Sequence, residues 1–597
     1  MNIIKDNRLK QLLLLAREAY WQYKWQILAL TFFGFIGGIL EGVGVNALIP
    51  LFSFALGEGG GATDIISQGI ERFFGLLNIS FTVTYLLIFI GIIFVSKALI
   101  SLFLIFLKTR IIFDYERSTR QNLFSKIVNS SWPHLIKQKL GHLETIIMVD
   151  VPVSSGLFGQ LATSIQHLTG LLIYLIVAVN ISLSITLATL AVGAILMLFL
   201  KPLIFRTKRI SFIRTKLLKK IAHHVSENVL GVKTVKTMLA GNGVIDKAFG
   251  YFGELRDISV KLDMYKAYIN TIIQPLSIIF IAVLFGFTYQ SDTFNFAALI
   301  AIVYLVQKIF SYIQQMGRNI QTIYANVPHL RAVLDYKKRA EQNEEIDSGN
   351  KKFIFNKALK FENVNFRYPE GDWVIKKLNL EIGRGQLIGL IGPSGVGKTT
   401  LVDMILRLLE PTKGNIMLDG QDAASVDLSQ WRKKIGYVSQ DIFLTNDTIE
   451  ENIRFYDKSI TKKDIIEAAK MANIYKFIES TPEKFKTSVG ERGQMISAGQ
   501  RQRIVIARVL ARKPELLILD EATSALDNES EVKIQEVIKQ LRGKITVLAI
   551  AHRLSTVMGS DQLIVLGKKG ICEQGTPETL LKDKKSYFSK VYNLRDN

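Results

Sequence analysis

Gly392-Pro393-Ser394-Gly395-Val396-Gly397-Lys398-Thr399 follows directly on the apolar run Leu387–Ile391. The octapeptide fits G-x-x-x-x-G-K-[ST], the phosphate loop that joins a buried strand to a helix. Gly392, Gly395 and Gly397 can take backbone angles closed to other residues, so successive N–H groups can turn inward around phosphate oxygens. Lys398 is placed to set its ammonium on the β- and γ-phosphates, and the Thr399 hydroxyl to bind Mg²⁺, with Thr400 next along the same helix. The helix that starts here adds the positive end of its dipole.

Further motifs follow in order. Leu516-Leu517-Ile518-Leu519-Asp520-Glu521 is a short apolar run ending in two carboxylates, the pattern of a buried strand that presents Asp520 to a Mg²⁺ shell and Glu521 to an attacking water. Between the two lies Ser497-Ala498-Gly499-Gln500, followed by Arg501–Arg508. This stretch resembles the Leu-Ser-Gly-Gly-Gln signature of the ATP-binding-cassette (ABC) family. The resemblance extends to Gln440 in Tyr437-Val438-Ser439-Gln440 as a Q-loop, to Ser524-Ala525-Leu526-Asp527 as a D-loop, and to His552 as a switch histidine. Tyr368, in Phe366-Arg367-Tyr368-Pro369, matches the aromatic residue that stacks on adenine in that family. The family implies ATP and Mg²⁺ as ligands, with Thr399, Gln440 and Asp520 around the metal. It also implies Lys398, Gln440, Glu521 and His552 as the catalytic set.

The whole chain bounds the remaining possibilities. Its 597 residues are too many for one core, and a hydrophobic share of 49% points to membrane spans. A net charge of +22 is compatible with nucleic acid, but in a membrane protein it reflects basic cytoplasmic loops, and no nucleic-acid partner is expected. One cysteine, Cys572, excludes an intrachain disulfide and a cysteine-cluster metal site.

Residues 1–25 mix Lys5, Arg8, Lys10, Arg17 and Lys24 with Tyr20, Trp21, Tyr23 and Trp25, as an amphipathic helix on a membrane surface would. Six spans are then expected at roughly 26–56, 82–108, 160–180, 183–205, 266–290 and 295–318, the first retained rather than cleaved. The long loops 108–150 and 201–266 carry seven and fourteen Lys and Arg residues, whereas 57–81 carries only Arg72. That asymmetry places both termini and both loops in the cytoplasm, in what is expected to be a bacterial inner (plasma) membrane. Residues 336–352 have the composition of a linker, and the ATPase domain occupies 353–597. The expected fold is thus a polytopic α-helical membrane domain (26–335), its six spans carrying long cytoplasmic extensions, followed by an α/β phosphate-loop ATPase domain with a helical subdomain.

This layout resembles a half-size ABC exporter, in which a short coupling helix at each loop tip touches the ATPase; the best matches are Ser130–Lys139 and Ser226–Lys236. In that family the signature serine, here Ser497, caps ATP bound to a partner chain, so the resemblance implies a dimer, and the intact catalytic set favours a homodimer. Ala498 departs from the family's glycine and would add a methyl group near the γ-phosphate.

Three ionisable residues lie well inside apolar runs: Glu41, Lys97 and Lys308. They fall ~16–22 Å from the outer ends of their spans at 1.5 Å per residue, in one slab. Such residues hint at function, with snorkelling or helix pairing as the plain alternative. Two lysines against one glutamate favour an amphipathic anion as cargo, such as a phospholipid or a lipid-linked saccharide, with Glu41 pairing to one lysine. The stretch Leu40–Pro50 also resembles the first span of bacterial exporters of lipid-linked oligosaccharides. A multidrug or peptide exporter, or an ATP-gated channel or regulatory receptor, remains open at this stage; the lack of a peptidase-like domain ahead of the spans speaks against a processing peptide exporter.

Overall fold

The computed structural model describes residues 8–55, 65–138, 140–288, 296–369, 371–522, 527–551, 553–568 and 570–593. The chain divides into two compact units, Met1–Ser130 with Leu135–Glu344, and Ser131–His134 with Glu345–Asn597.

Among its described residues the first unit's named elements are all helices. It comprises α1 (Arg8–Tyr20), α2 (Lys24–Asn46), α3 (Leu48–Ala55), α4 (Ile65–Leu76) and α5 (Val83–Val128). After the short α6 (Trp132–Leu135), which clusters with the second unit, come α7 (Leu140–Thr145), α8 (Val151–Ile181) and α9 (Leu183–Leu230). Then follow α10 (Val232–Thr237), α11 (Gly241–Thr288) and α12 (Phe296–Gln342). Helices α5, α9, α11 and α12 contain 46 to 48 residues each. At 1.5 Å per residue that is about 70 Å, more than twice a ~30 Å hydrocarbon core, so each long helix continues well beyond its span. Five helical stretches among the described residues are long and apolar enough to cross a membrane: Leu14–Phe54, Val83–Val128, Gly141–Ile181, Leu183–Leu230 and Gly241–Phe287. The sixth expected span falls on α12, whose outer end adjoins residues 289–295, outside the described set.

Several sequence expectations shift here. The segment 1–25 does not simply lie on a surface: Tyr20 is buried, its hydroxyl donates to the Ser154 carbonyl at 2.6 Å, and its ring meets Tyr115 and Phe158 edge-on. Trp21 and Trp25 remain exposed, with Lys24 over both rings. The stretch 336–352 is not all linker, because α12 runs on to Gln342. Tyr336 and Ala340, one turn apart, are buried against Leu123, Ile146 and Val333, and this apolar stripe outweighs the polar composition around it. Of Ser130–Lys139, only Trp132–Leu135 is helical among the described residues 130–138. In Ser226–Lys236 the long α9 ends at Leu230 and a new helix begins after Gly231. Glycine is a weak helix former, and here it divides the two segments.

Close helix approach in this unit depends on small residues. A Cβ at Gly38 or Gly42 of α2 would meet Ile173 of α8 at 2.4 and 2.9 Å. The four-residue spacing puts both glycines on one face, so α2 can press against α8.

The second unit holds two sheets. The smaller has the order β2-β1-β4-β5, with β1 Ala358–Arg367, β2 Trp373–Gly383, β4 Lys413–Leu418 and β5 Gln421–Asp422. The larger has the order β10-β9-β3-β8-β7-β6, with β3 Leu387–Ile391, β6 Ile435–Val438, β7 Leu516–Asp520, β8 Thr546–Ile550, β9 Gln562–Gly567 and β10 Gly570–Gly575. Strands β6, β7, β8, β3 and β9 run parallel. All five residues of β3, β7 and β8 are buried, which explains why these strands read as unbroken apolar runs rather than alternating ones. One core packs the two sheets around the helix Lys398–Ile405 and Trp431, whose indole N–H donates to the Ile405 carbonyl at 2.8 Å. A second core gathers the helices Lys462–Met471 and Ala498–Leu510 with β7.

Candidate functional site

Strand order assembles the site. The phosphate loop leaves the end of β3, Asp520 and Glu521 stand at the end of β7, and Gln440 follows β6. Since β8 lies between β3 and β7, the loop and the two carboxylates leave the sheet about 10 Å apart, two strand spacings. Ligands of open parallel sheets bind outside this carboxyl edge. His552 lies outside the described residues, as do Ser524, Ala525 and Leu526.

The loop has the required shape. Gly392, Gly395 and Gly397 have φ of 154°, 80° and 102°, and a Cβ at Gly392 would come within 2.2 Å of the Leu566 carbonyl oxygen. Pro393, Ser394 and Gly395 are exposed while Val396 is buried and anchors the loop in the core. The Lys398 ammonium folds over the loop and donates to the carbonyls of Gly392 at 2.8 Å and Pro393 at 3.1 Å. Burial holds its pKa below the usual lysine value, against the opposing pull of Glu521 and Asp520. Thr399 is exposed beside it; Thr400 is buried, its hydroxyl 3.4 Å from the Tyr368 hydroxyl. Tyr368 is half-buried and edge-on to Phe366.

Across the site, the Gln440 side-chain amide donates to Glu521 Oε2 at 2.8 Å. Glu521 has φ of 50°, a left-handed conformation that a non-glycine residue holds only under constraint, and its N–H donates to the Ile550 carbonyl at 3.0 Å. Asp520 is buried and accepts from the Tyr437 hydroxyl at 3.2 Å. Burial and the Asp520 charge together raise the Tyr437 pKa, which keeps that hydroxyl a donor. Sequence reading assigned no role to Asp403 in the helix after the loop. Its carboxyl is pushed up to about 6, by burial first and by the Asp520 charge second, with a hydrogen bond from Trp132 acting the other way.

These donors suit a nucleoside triphosphate. Among the described residues no group of three His, Cys, Asp or Glu side chains could hold a metal by itself. One buried carboxylate, one hydroxyl and one amide are what Mg²⁺ uses when phosphate oxygens and water complete its octahedron.

Ser497 is the N-cap of the helix Ala498–Leu510. Its hydroxyl accepts from the Gln500 N–H at 3.3 Å, and the Gln500 side chain accepts from the Ser497 N–H at 2.9 Å, a capping box. The Ala498 methyl packs partly into the helical core of its own unit. A Cβ at Gly499 would meet the Ser530 hydroxyl at 2.2 Å, so glycine lets this helix approach the helix Asn528–Leu541. Asp527 caps that second helix by accepting from the Ser530 N–H at 3.1 Å.

In the first unit, Glu41, Lys97 and Lys308 meet, and Glu41 pairs with both lysines rather than one. Lys97 Nζ stands 2.9 Å from Glu41 Oε2 and Lys308 Nζ 3.2 Å from Oε1. The Tyr312 hydroxyl donates to Oε2 at 3.5 Å, a partner the apolar reading of α12 gave no reason to single out. The Glu41 side chain is 8% exposed and the two lysine side chains 27% and 35%, so the lysines are more open than the carboxylate they meet.

The family model for the ABC transporter transmembrane region matches residues 27–251, and the ABC transporter model matches 375–524. An uncharacterized ABC transporter ATP-binding protein of Sinorhizobium fredii is 30% identical over 541 residues, covering 89% of each chain. An ATP-dependent lipid A-core flippase of Syntrophus aciditrophicus is 42% identical over 240 residues, 40% of each chain. In fold, the chain is similar to a bacterial Atm1-family ABC exporter solved with ATP bound, with a TM-score of 0.78, 23% identity, and coverage of 96% of this chain and 99% of that one.

Two outcomes follow from the geometry. Glu41→Gln strands two ammonium groups beside each other, and should lower stability by up to about 3 kcal/mol, more than Lys97→Gln or Lys308→Gln alone. The triple neutralisation should recover much of that loss in thermal unfolding of the purified protein. For Asp403, a raised folded pKa means that ionisation opposes folding: the penalty is absent below the unfolded value near 4 and builds as pH rises through about 6. Asp403→Asn should therefore raise the melting temperature at pH 7.5 and leave it unchanged at pH 4.

Proposed function

The chain belongs to the ABC transporter family as an exporter-type half-transporter, and on that premise we propose that it couples ATP hydrolysis to the export or flipping of an amphipathic anion by alternating access. The observation that carries the hydrolytic reading is the Gln440–Glu521 hydrogen bond, which joins the end of β6 to the carboxylate at the end of β7 on the edge that bears the phosphate loop.

The roles follow from placement. Backbone N–H groups of Gly392–Gly397 and the Lys398 ammonium bind the β- and γ-phosphates, and Tyr368 offers its ring to the adenine. Thr399, Gln440 and Asp520 hold Mg²⁺, which supplies charge neutralisation for the phosphate oxygens. Glu521 accepts a proton as water attacks the γ-phosphorus and the bond to the ADP oxygen breaks. Gln440 orients that carboxylate, and His552 completes the catalytic set. The left-handed backbone of Glu521 sets where its side chain starts, and the Gln440 hydrogen bond holds the carboxylate from there.

We assign a homodimer in which Ser497 of each chain, with Ala498, Gly499 and Gln500, caps the ATP held by its partner, and the segment Ser524–Asp527 meets the partner across the same interface. Both termini and the ATPase unit lie in the cytoplasm and the spans in a bacterial inner membrane, as the excess of Lys and Arg in loops 108–150 and 201–266 supports. The cargo is an anionic lipid or a lipid-linked saccharide. The partly exposed Lys97 and Lys308 side chains around one enclosed carboxylate support this, and a relative named as a lipid A-core flippase is consistent with it.

Glu521→Gln should lower ATPase activity at least 100-fold while ATP still binds, read by phosphate release and by nucleotide titration of the purified protein; wild-type turnover in that variant removes Glu521 from the catalytic role. Mixing Ser497→Arg chains with Lys398→Ala chains should leave mixed dimers with at most one intact composite site. A detergent-isolated monomer that hydrolyses ATP at the dimer's rate per chain would show the site to be complete in one chain.

A further inference from the structure

A cavity of the first unit is lined by none of Glu41, Lys97 and Lys308. It holds about 700 Å³ and is walled by α8, α9, α11, α12 and the turn before α8. On α9 and α12 its lining begins at Thr207 and Arg318, next to the expected inner ends of those spans at about 205 and 318.

Its chemistry is selective. Arg214 and Lys219 project from α9 and Arg318 from α12, and neither arginine has an ion pair among the described residues. A fourth cation on the wall, Lys266, is already held by Asp263 at 3.0 Å. The one acid on the wall, Asp150, is fully buried: His329 Nδ1 stands 2.6 Å from Oδ1, and Lys219 reaches only to 3.9 Å of Oδ2. Two arginines without an ion pair, beside a lysine that already leans on the one enclosed carboxylate, leave the cavity positive. Gln321 supplies a second, independent sign of a ligand. Its side chain is 6% exposed, lies on the cavity wall, and carries an amide nitrogen with no hydrogen-bond partner. A buried N–H group without an acceptor is costly, by roughly 1–3 kcal/mol, unless something in the cavity accepts from it.

Local structure explains how the acid is kept out of the way. Residues Ile146–Asp150 form a single π-helical turn between α7 and α8. Such turns insert one residue into a helix and are frequent at functional sites. Here the turn carries Asp150, which meets His329, while Arg214 and Arg318 have no ion pair among the described residues.

We propose that this cavity receives the anionic group of the transported amphiphile, a phosphate or carboxylate at the inner membrane face, bound by Arg214, Arg318 and the Gln321 amide. The proposal rests on the anionic-cargo reading given above, and it assigns the loading site to a place other than the Glu41 cluster. Bidentate hydrogen bonding from guanidinium groups suits such oxyanions.

The test uses the full-length protein in phosphatidylcholine nanodiscs without ATP, with dioleoyl phosphatidic acid as the probe and native mass spectrometry counting bound lipid. Wild type should bind it saturably. Arg214→Gln/Arg318→Gln should bind at least tenfold more weakly, Gln321→Leu several-fold more weakly, and Arg214→Lys/Arg318→Lys should recover part of the loss. Arg72→Gln, on α4, should match wild type. Millimolar inorganic phosphate that displaces the lipid would show the site to read the anion alone; failure to displace would show that the acyl chains are needed as well. A loss of less than threefold in the double Gln variant overturns the proposal. If that variant fails to fold, as thermal unfolding would report, unchanged binding by Gln321→Leu overturns it instead. Transport into proteoliposomes is scored separately: wild-type transport with unaffected binding in the variants sinks this site alone, whereas absent transport with intact binding sinks the exporter reading alone.

Discussion

A carboxylate enclosed among apolar helices has to be neutralised where it stands, and in this protein that requirement ties the membrane unit together. Glu41 on α2 is met by Lys97 from α5 and by Lys308 and Tyr312 from α12. Separating one of these helices from the others would expose a charge to hydrocarbon, where even a partly hydrated ion is worth several kcal/mol. The contact also needs close approach. Gly38 and Gly42 admit Ile173 beside Glu41, and Gly170 makes room for Tyr312, whose ring a Cβ there would meet at 2.8 Å. Sterics and electrostatics thus select the same arrangement of α2, α8 and α12.

The ATPase unit relies on a different constraint, the order of strands. Parallel β6, β7, β8 and β3 lie side by side, so residues as far apart in sequence as Ile391 and Ile550 leave the sheet on one edge. Register then does the fine placement. Asp520 pairs with Ile550 in β7 and β8, and the next residue, Glu521, is turned by a hydrogen bond to the Ile550 carbonyl. Backbone thus fixes where the Glu521 side chain leaves the sheet, and the hydrogen bond from Gln440 holds its carboxylate.

Much of this was legible in the sequence because the informative residues are those whose backbone or chemistry cannot be substituted. The glycines of Gly392–Gly397 have the positive φ that the motif requires, and Leu387–Ile391 and Leu516–Asp520 are buried strands as their unbroken apolar runs suggest. The shared depth of Glu41, Lys97 and Lys308 also survived, since helical rise converts sequence position to height. What sequence could not give was rotation about the helix axis. It left Glu41 with one lysine instead of two, and it gave no hint that Tyr312 or Gln321 faces inward. Composition misled at 336–342, where two buried side chains one turn apart count for more than the charges between them. Charge counting likewise gave the basic loops a topological meaning but no means of seeing that Arg214 and Arg318 share a cavity.

The capping box at Ser497 gives one oxygen two duties. A hydroxyl has two lone pairs and one proton, and the cap uses a lone pair to hold the first turn of the helix Ala498–Leu510. The proton stays available for an anion arriving from outside. The signature helix is therefore pre-formed before any nucleotide reaches it, with its dipole and its serine aimed by the same bond. If two chains pair through this helix as proposed above, its first turn is already ordered, and the affinity would reflect the contacts made rather than the folding of a loop.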